Sequence, residues 1–272
     1  MEIDIVLFVA TLLLAGAIAG ITSGLFGNGG GFVVVPVLLA VFPLFSESSV
    51  DIMRVAVGTS LASIVISSAR SVQAHKRKGA VDFDVLKAWT GWLIVGVIFG
   101  LVIASSTTSE VLVFVFASGV LLYSIYFLFP HMFVFRSASL SMPTGFIRAG
   151  LVTFLGGFSA LLGIGGGTIT VMTMTICGRQ VHQSIATAAG VGFIIGLPGA
   201  LGFLFMGQGS ENLPYGTLGY VNIPALISIS LASIVTAPLG AQLAHSLNEF
   251  HLKRLFGLYL VVVALSMFYK VI

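Results

Sequence analysis

Long apolar runs, separated by short polar stretches, set the organisation of this chain. Seven of them approach the ~20 residues that a helix needs to cross a bilayer: Ile5–Gly24, Ile52–Ala69, Val85–Ala104, Val111–Phe129, Ala186–Phe205, Ile223–Leu243 and Leu255–Met267. The pattern predicts an all-α polytopic membrane protein. Two apolar stretches carry something an ordinary span would not use, "GLFGNGGGFVVVP" (Gly24–Pro36) and "GIGGGTITVM" (Gly163–Met172). Glycine costs roughly 1 kcal/mol relative to alanine inside a helix. A glycine triplet in an apolar run therefore predicts a broken helix.

The two stretches belong to a longer repeat. "GITSGLFGNGGG" (Gly20–Gly31) aligns with "GGFSALLGIGGG" (Gly156–Gly167), and "VGTS" (Val57–Ser60) with "IATA" (Ile185–Ala188), which pairs Thr59 with Thr187. "GAVDF" (Gly79–Phe83) resembles "GYVNI" (Gly219–Ile223), and Gly100 and Ser106 find counterparts in Gly240 and Ser246. Matches in the same order imply a duplication, with residues 1–129 as a first membrane repeat, 130–145 as a linker and 146–272 as a second repeat. Charge bias sets their relative orientation. If the segment at Gly163–Gly167 dips in and returns, Arg70, Lys76, Arg77, Lys78, Lys87, Arg136, Arg148, Arg179, Lys253 and Arg254 all fall on the cytoplasmic side. That leaves only Arg54 and Lys270, of 12 basic residues, outside. The positive-inside rule favours this arrangement over a full crossing, which sends more of them out. Equivalent loops then lie on opposite faces. The expectation is two inverted-topology repeats, each a glycine-broken or re-entrant helix plus three spanning helices, with both termini outside.

Composition agrees: 57% of residues are hydrophobic and 8% charged, against about 25% charged in soluble domains. The net charge of +3 resides in loops beside the spans, so it points to membrane topology and not to nucleic acid. Met1–Asp4 lacks a basic n-region, and the first run reads as mature protein. One cysteine, Cys177, excludes an internal disulfide and a cysteine metal cluster. His131, His182, His245 and His251 lie near span ends without ligand spacing, so no metal and no cofactor is expected.

Irregular backbone at membrane depth is tolerated only where protein buries it or where it lines a cavity. In inverted-repeat transporters such breaks lie near the midplane and aim half-helix N-termini at anionic substrates. Phe32–Leu39 and Thr168–Thr175 read as those half-helices, their first amides lacking intrahelical partners. No lysine or arginine falls mid-span; the core offers neutral donors instead. The candidate substrate-binding set is therefore Ser23, Asn28, Gly29, Gly30, Gly31, Thr59, Ser60, Gly165, Gly166, Gly167, Thr168 and Thr187, with Ser63, Ser159 and Thr170 nearby.

Blander uses compete. Gly16, Gly20 and Gly24 keep the spacing of a helix-packing face. Asn28 suits a helix cap, and serines and threonines in spans often bond back to their own helix. His75, before the basic run Lys76–Lys78, reads first as a solvated surface histidine and second as a proton relay. Arg54 pairs by default with Asp51, one turn away. Ser23–Gly24 supplies half of an intramembrane serine protease, but no histidine lies mid-span to complete it.

"GLFGNGGGFVVVPVL", the later "GIGGG", "AVGTSL" and "HKRKGAVDF" together resemble the sulfite exporter TauE/SafE family of membrane permeases, over essentially the whole chain. The resemblance implies a transporter that carries sulfite or a small organosulfur anion across a cell (plasma or inner) membrane, an anion channel being the alternative. It leaves open the particular anion, its direction, proton coupling and any oligomer. Ile164 replaces Asn28 and Met172 replaces Pro36 in the second copy. An asymmetric site follows, with more polar contacts from the first repeat.

Overall fold

The computed structural model describes residues 2–45, 51–129, 141–244 and 249–271. His131, Arg136 and His245 lie outside the described residues, as do the side chains of His251 and Lys270. The order is α1 (Glu2–Phe26), α2 (Gly31–Phe45), α3 (Ile52–Lys76), α4 (Phe83–Ser105), α5 (Ser109–Leu128), α6 (Gly145–Leu162), α7 (Gly167–Ile176), α8 (Val181–Met206), β1 (Thr217–Leu218), β2 (Val221–Asn222), α9 (Ile223–Leu243) and α10 (Glu249–Val271). The two strands form a small antiparallel hairpin ahead of α9.

Seven of these helices are long and apolar enough to cross a membrane: α1, α3, α4, α5, α6, α8 and α9. α6 is an addition to the runs expected from the sequence. Arg148 in its first turn and Gly150, Gly156 and Gly157 along its length dilute the apolar signal. Both helices that lead into the glycine triplets, α1 and α6, thus have spanning length. α2 and α7 are short: 15 and 10 residues reach about 22 and 15 Å at 1.5 Å per residue, well under the ~30 Å hydrocarbon core.

Helix ends follow local chemistry. Asp82 Oδ1 accepts from the Val85 N–H (3.2 Å) and caps α4, and Asn222 Oδ1 accepts from the Ala225 N–H (3.0 Å) and caps α9. α6 closes on Gly163 at φ +66°, a left-handed conformation that glycine adopts without strain.

Between helices in lipid there is little hydrophobic drive, so small residues that permit close approach decide the packing. Gly16, Gly20 and Gly24 of α1 lie in turn against Ile229, Ser233 and Ala237 of α9, so the two helices run in the same direction. These three glycines have the packing role expected of them. Gly96 and Gly100 of α4 lie against Thr153 and Gly157 of α6, again in the same direction. α3 and α8 cross antiparallel at the centre, with Gly58 against Phe203 and Gly192 against Ser68. α5 and α10 form a second antiparallel pair, marked by Phe114 against Phe268 and Phe127 against Phe256.

Candidate functional site

The glycine stretches fold as two breaks with the same backbone. Gly27, Gly29 and Gly30 have φ of +67°, +72° and +82°, and their counterparts Gly163, Gly165 and Gly166 have +66°, +69° and +72°. Only glycine holds three such angles in four residues without strain. The break between α1 and α2 therefore needs its glycines for conformation, and so does the break between α6 and α7.

The breaks also touch each other. Gly31, at the head of α2, packs on the carbonyl of Gly163, while Gly167, at the head of α7, packs on the carbonyl of Gly27. Neither contact leaves space for a Cβ. Residues 22–31 and 162–168 are buried throughout.

α3 supplies a polar stripe that holds both breaks. Ser60 Oγ donates to the Gly163 carbonyl (2.8 Å) and Ser67 Oγ to the Gly29 carbonyl (3.0 Å). One and two turns on, Ser71 Oγ donates to the Ser23 carbonyl (3.5 Å) and His75 Nε2 lies 3.3 Å from the Gly24 carbonyl. The last carbonyls of a helix have no intrahelical donor, and α1 ends just beyond Gly24. His75 is accordingly 1% exposed, which corrects the solvated reading: α1 needs a partner for its terminal carbonyl, and His75 faces it. Ser67, Ser71 and the burial of His75 were missed from sequence. Their spacing of four residues in an apolar span was the available signal.

Of the candidate residues, Ser23, Asn28 to Gly31, Ser60 and Gly165 to Thr168 converge on the paired breaks. Asn28 Oδ1 accepts from the Gly30 N–H (3.0 Å) in the turn ahead of α2, while its Nδ2 has no partner. The buried hydroxyls of Ser23, Ser68, Ser159 and Thr168 also have none. Donors so placed are costly unless something accepts from them.

Thr59 and Thr187 are engaged elsewhere. Thr59 Oγ1 accepts from the backbone N–H of Asn222 (2.8 Å), and Thr187 Oγ1 accepts from that of Asp82 (3.0 Å). Each aligned threonine thus holds the N-cap residue of a helix from the other half. Thr187 also bonds back to the Gln183 carbonyl (2.8 Å), as Thr170 does to Gly166 (3.0 Å) and Ser63 to Ser60 (2.8 Å).

Away from the breaks, Arg54 pairs with Asp51 as its spacing predicts. Its Nε donates to the Ala104 carbonyl (3.3 Å), and Tyr220 donates to Asp51 Oδ2 (3.0 Å).

Spanning helices interrupted at two buried, interlocked breaks define a polytopic helical membrane protein with an internal polar site. The chain belongs to the sulfite exporter TauE/SafE family, whose model matches residues 12–267. It is 31% identical over 267 residues to a probable membrane transporter protein of Haemophilus influenzae, covering 97% of this chain and 99% of the relative. A probable membrane transporter protein of Methanocaldococcus jannaschii is 27% identical, with 98% of both chains covered. One from Bacillus subtilis is 23% identical over 89% of this chain and 93% of its own. No solved structure matches. The protein is a multi-pass membrane transporter and not an enzyme.

Proposed function

We propose that the protein is a secondary transporter of the plasma (inner) membrane that moves a small sulfur-containing anion, sulfite or an organosulfonate, by alternating access. The observation that carries this reading is the buried meeting of the two breaks. It brings half-helix N-termini together with the unpartnered donors of Ser23, Asn28, Ser159 and Thr168. Such donors suit a small oxyanion, and each helix terminus contributes about 0.3–2 kcal/mol. Gly29 to Gly31 and Gly165 to Gly167 keep side chains out of the meeting of the breaks, and Ser60 orients the second break through the Gly163 carbonyl. Thr59 and Thr187 contribute by fixing the caps of α9 and α4. His75, buried against the end of α1, serves in this reading as the proton relay.

The halves 1–129 and 146–272, joined through 130–145, act in this reading as inverted repeats. Exchanged pairings support it: α1 lies on α9 where α6 lies on α4, and α3 meets α8 as α5 meets α10. Burial of the breaks favours a carrier over an open channel. Proteoliposome counterflow of labelled sulfite tests the proposal. Saturable uptake that is accelerated by internal sulfonate is expected; linear, unsaturable flux indicates the channel, and absence of sulfite and sulfonate flux refutes the substrate class.

A further inference from the structure

The two breaks share a backbone but not their surroundings. At α2, Asn28 Oδ1 occupies the Gly30 amide. Phe32 follows, fully buried and edge-on to Tyr123 with ring centroids 5.1 Å apart. At α7 the equivalent positions are Ile164 and Thr168. Ile164 has no oxygen to offer. Thr168, 3% exposed, keeps an unpartnered hydroxyl.

Beside Thr168 lies a cavity of about 10 Å³, room for about one water. Phe26, Phe127 and Ile185 wall it, and Lys253, near the start of α10, lines it too. Phe256 clamps the aromatic wall, stacked on Phe26 at 4.9 Å and edge-on to Phe127 at 5.0 Å between ring centroids. Lys253 and Arg254 fall on the side that charge bias makes cytoplasmic.

We propose that the anion docks on the α7 half-helix alone and enters from the cytoplasmic side past Lys253, through the gap closed here by Phe26, Phe127 and Phe256. The proposal rests on the reading that the breaks hold an anion. At α2 the Gly30 amide is already taken by Asn28 Oδ1, and the buried Phe32 ring follows directly. At α7 the anion meets the helix N-terminus without an asparagine oxygen, and the unpartnered Thr168 hydroxyl. Lys253 is half-buried, so its charge is screened less than that of a solvated lysine. A cationic entrance raises the local concentration of anions without holding them at the site.

Labelling of Thr168→Cys in a Cys177→Ser background tests this without requiring that the transported anion be known. The probes are two thiol reagents of similar size, 2-sulfonatoethyl and 2-trimethylammonioethyl methanethiosulfonate. Thr168→Cys is expected to react from the cytoplasmic face, faster with the sulfonate, while Phe32→Cys reacts slowly with both. Lys253→Gln should lower the sulfonate-to-ammonium rate ratio about tenfold, and Lys253→Arg should preserve it. The ratio cancels general changes in exposure. Labelling from the external face only, no labelling of Thr168→Cys, equal labelling of Phe32→Cys, or an unchanged ratio in Lys253→Gln each overturns the proposal. Loss of sulfite counterflow in the unmodified protein, with this labelling pattern intact, instead refutes the substrate reading.

Discussion

The carbonyl oxygen of Gly163 occupies the space that a side chain on Gly31 would need. The same relationship holds, with the halves exchanged, between Gly27 and Gly167. Each half-helix therefore begins against the backbone of the opposite break. Backbone cannot rotate aside as a flexible side chain can, so these contacts tolerate no enlargement.

Gly31→Ala and Gly167→Ala should each cost about 1–3 kcal/mol or more through overpacking and abolish transport. Gly91→Ala and Gly150→Ala, where an added Cβ meets nothing within 4 Å, should be neutral. Thermal unfolding in detergent, followed by size-exclusion fluorescence, compares the four. Equal stability throughout would show that the breaks are separable.

Thr59→Val leaves the buried Asn222 amide without its acceptor, and Thr187→Val does the same to the half-buried Asp82 amide. An unmet buried donor costs about 1–3 kcal/mol. The first substitution should destabilise more than the second, because Asn222 is the deeper. Serine at either position keeps the acceptor oxygen and should restore most of the loss in the same unfolding assay.

His75→Gln preserves a nitrogen donor for the Gly24 carbonyl but cannot titrate. Folded yield should hold, while the pH dependence of the transport rate should fall. His75→Leu removes the donor as well and should lower the yield. A pH profile unchanged in His75→Gln would sink the relay.

Cysteines placed at Ser210 and at Gly79, in a Cys177-free background, should label from opposite faces of the membrane. Ser210 lies in the loop after α8 and Gly79 in the turn after α3, loops that the inverted reading treats as equivalent. Labelling of both from one face would end the inverted reading.

The glycine breaks were legible because their signal is local: clustered glycines at both sites admit backbone that no helix accepts. The long apolar helices were legible for the same reason, except α6, whose glycines and Arg148 hid it. Partnership was harder to read. Nothing in "VGTS" distinguishes a threonine that faces a ligand from one that faces the Asn222 amide, 163 residues away in sequence. His75 looked solvated because Lys76, Arg77 and Lys78 follow it, yet the helix turns its ring towards Gly24. A serine stripe in a span reads as back-bonding, and Ser63 behaves that way. Ser60 and Ser67 reach across to other segments only because the breaks expose carbonyls there.

The exchange between threonines and caps also bears on how the protein is made. Synthesis delivers α4 to the membrane long before α8, so the Asp82 amide waits without the Thr187 oxygen through most of the second half's translation. The glycine face of α1 waits longer still, for α9. The helices up to α5 on their own are therefore incomplete, and their final packing is deferred until α6 to α10 leave the ribosome. Chains that stall before α6 would present unfinished glycine seams to the bilayer, where membrane quality control can find them.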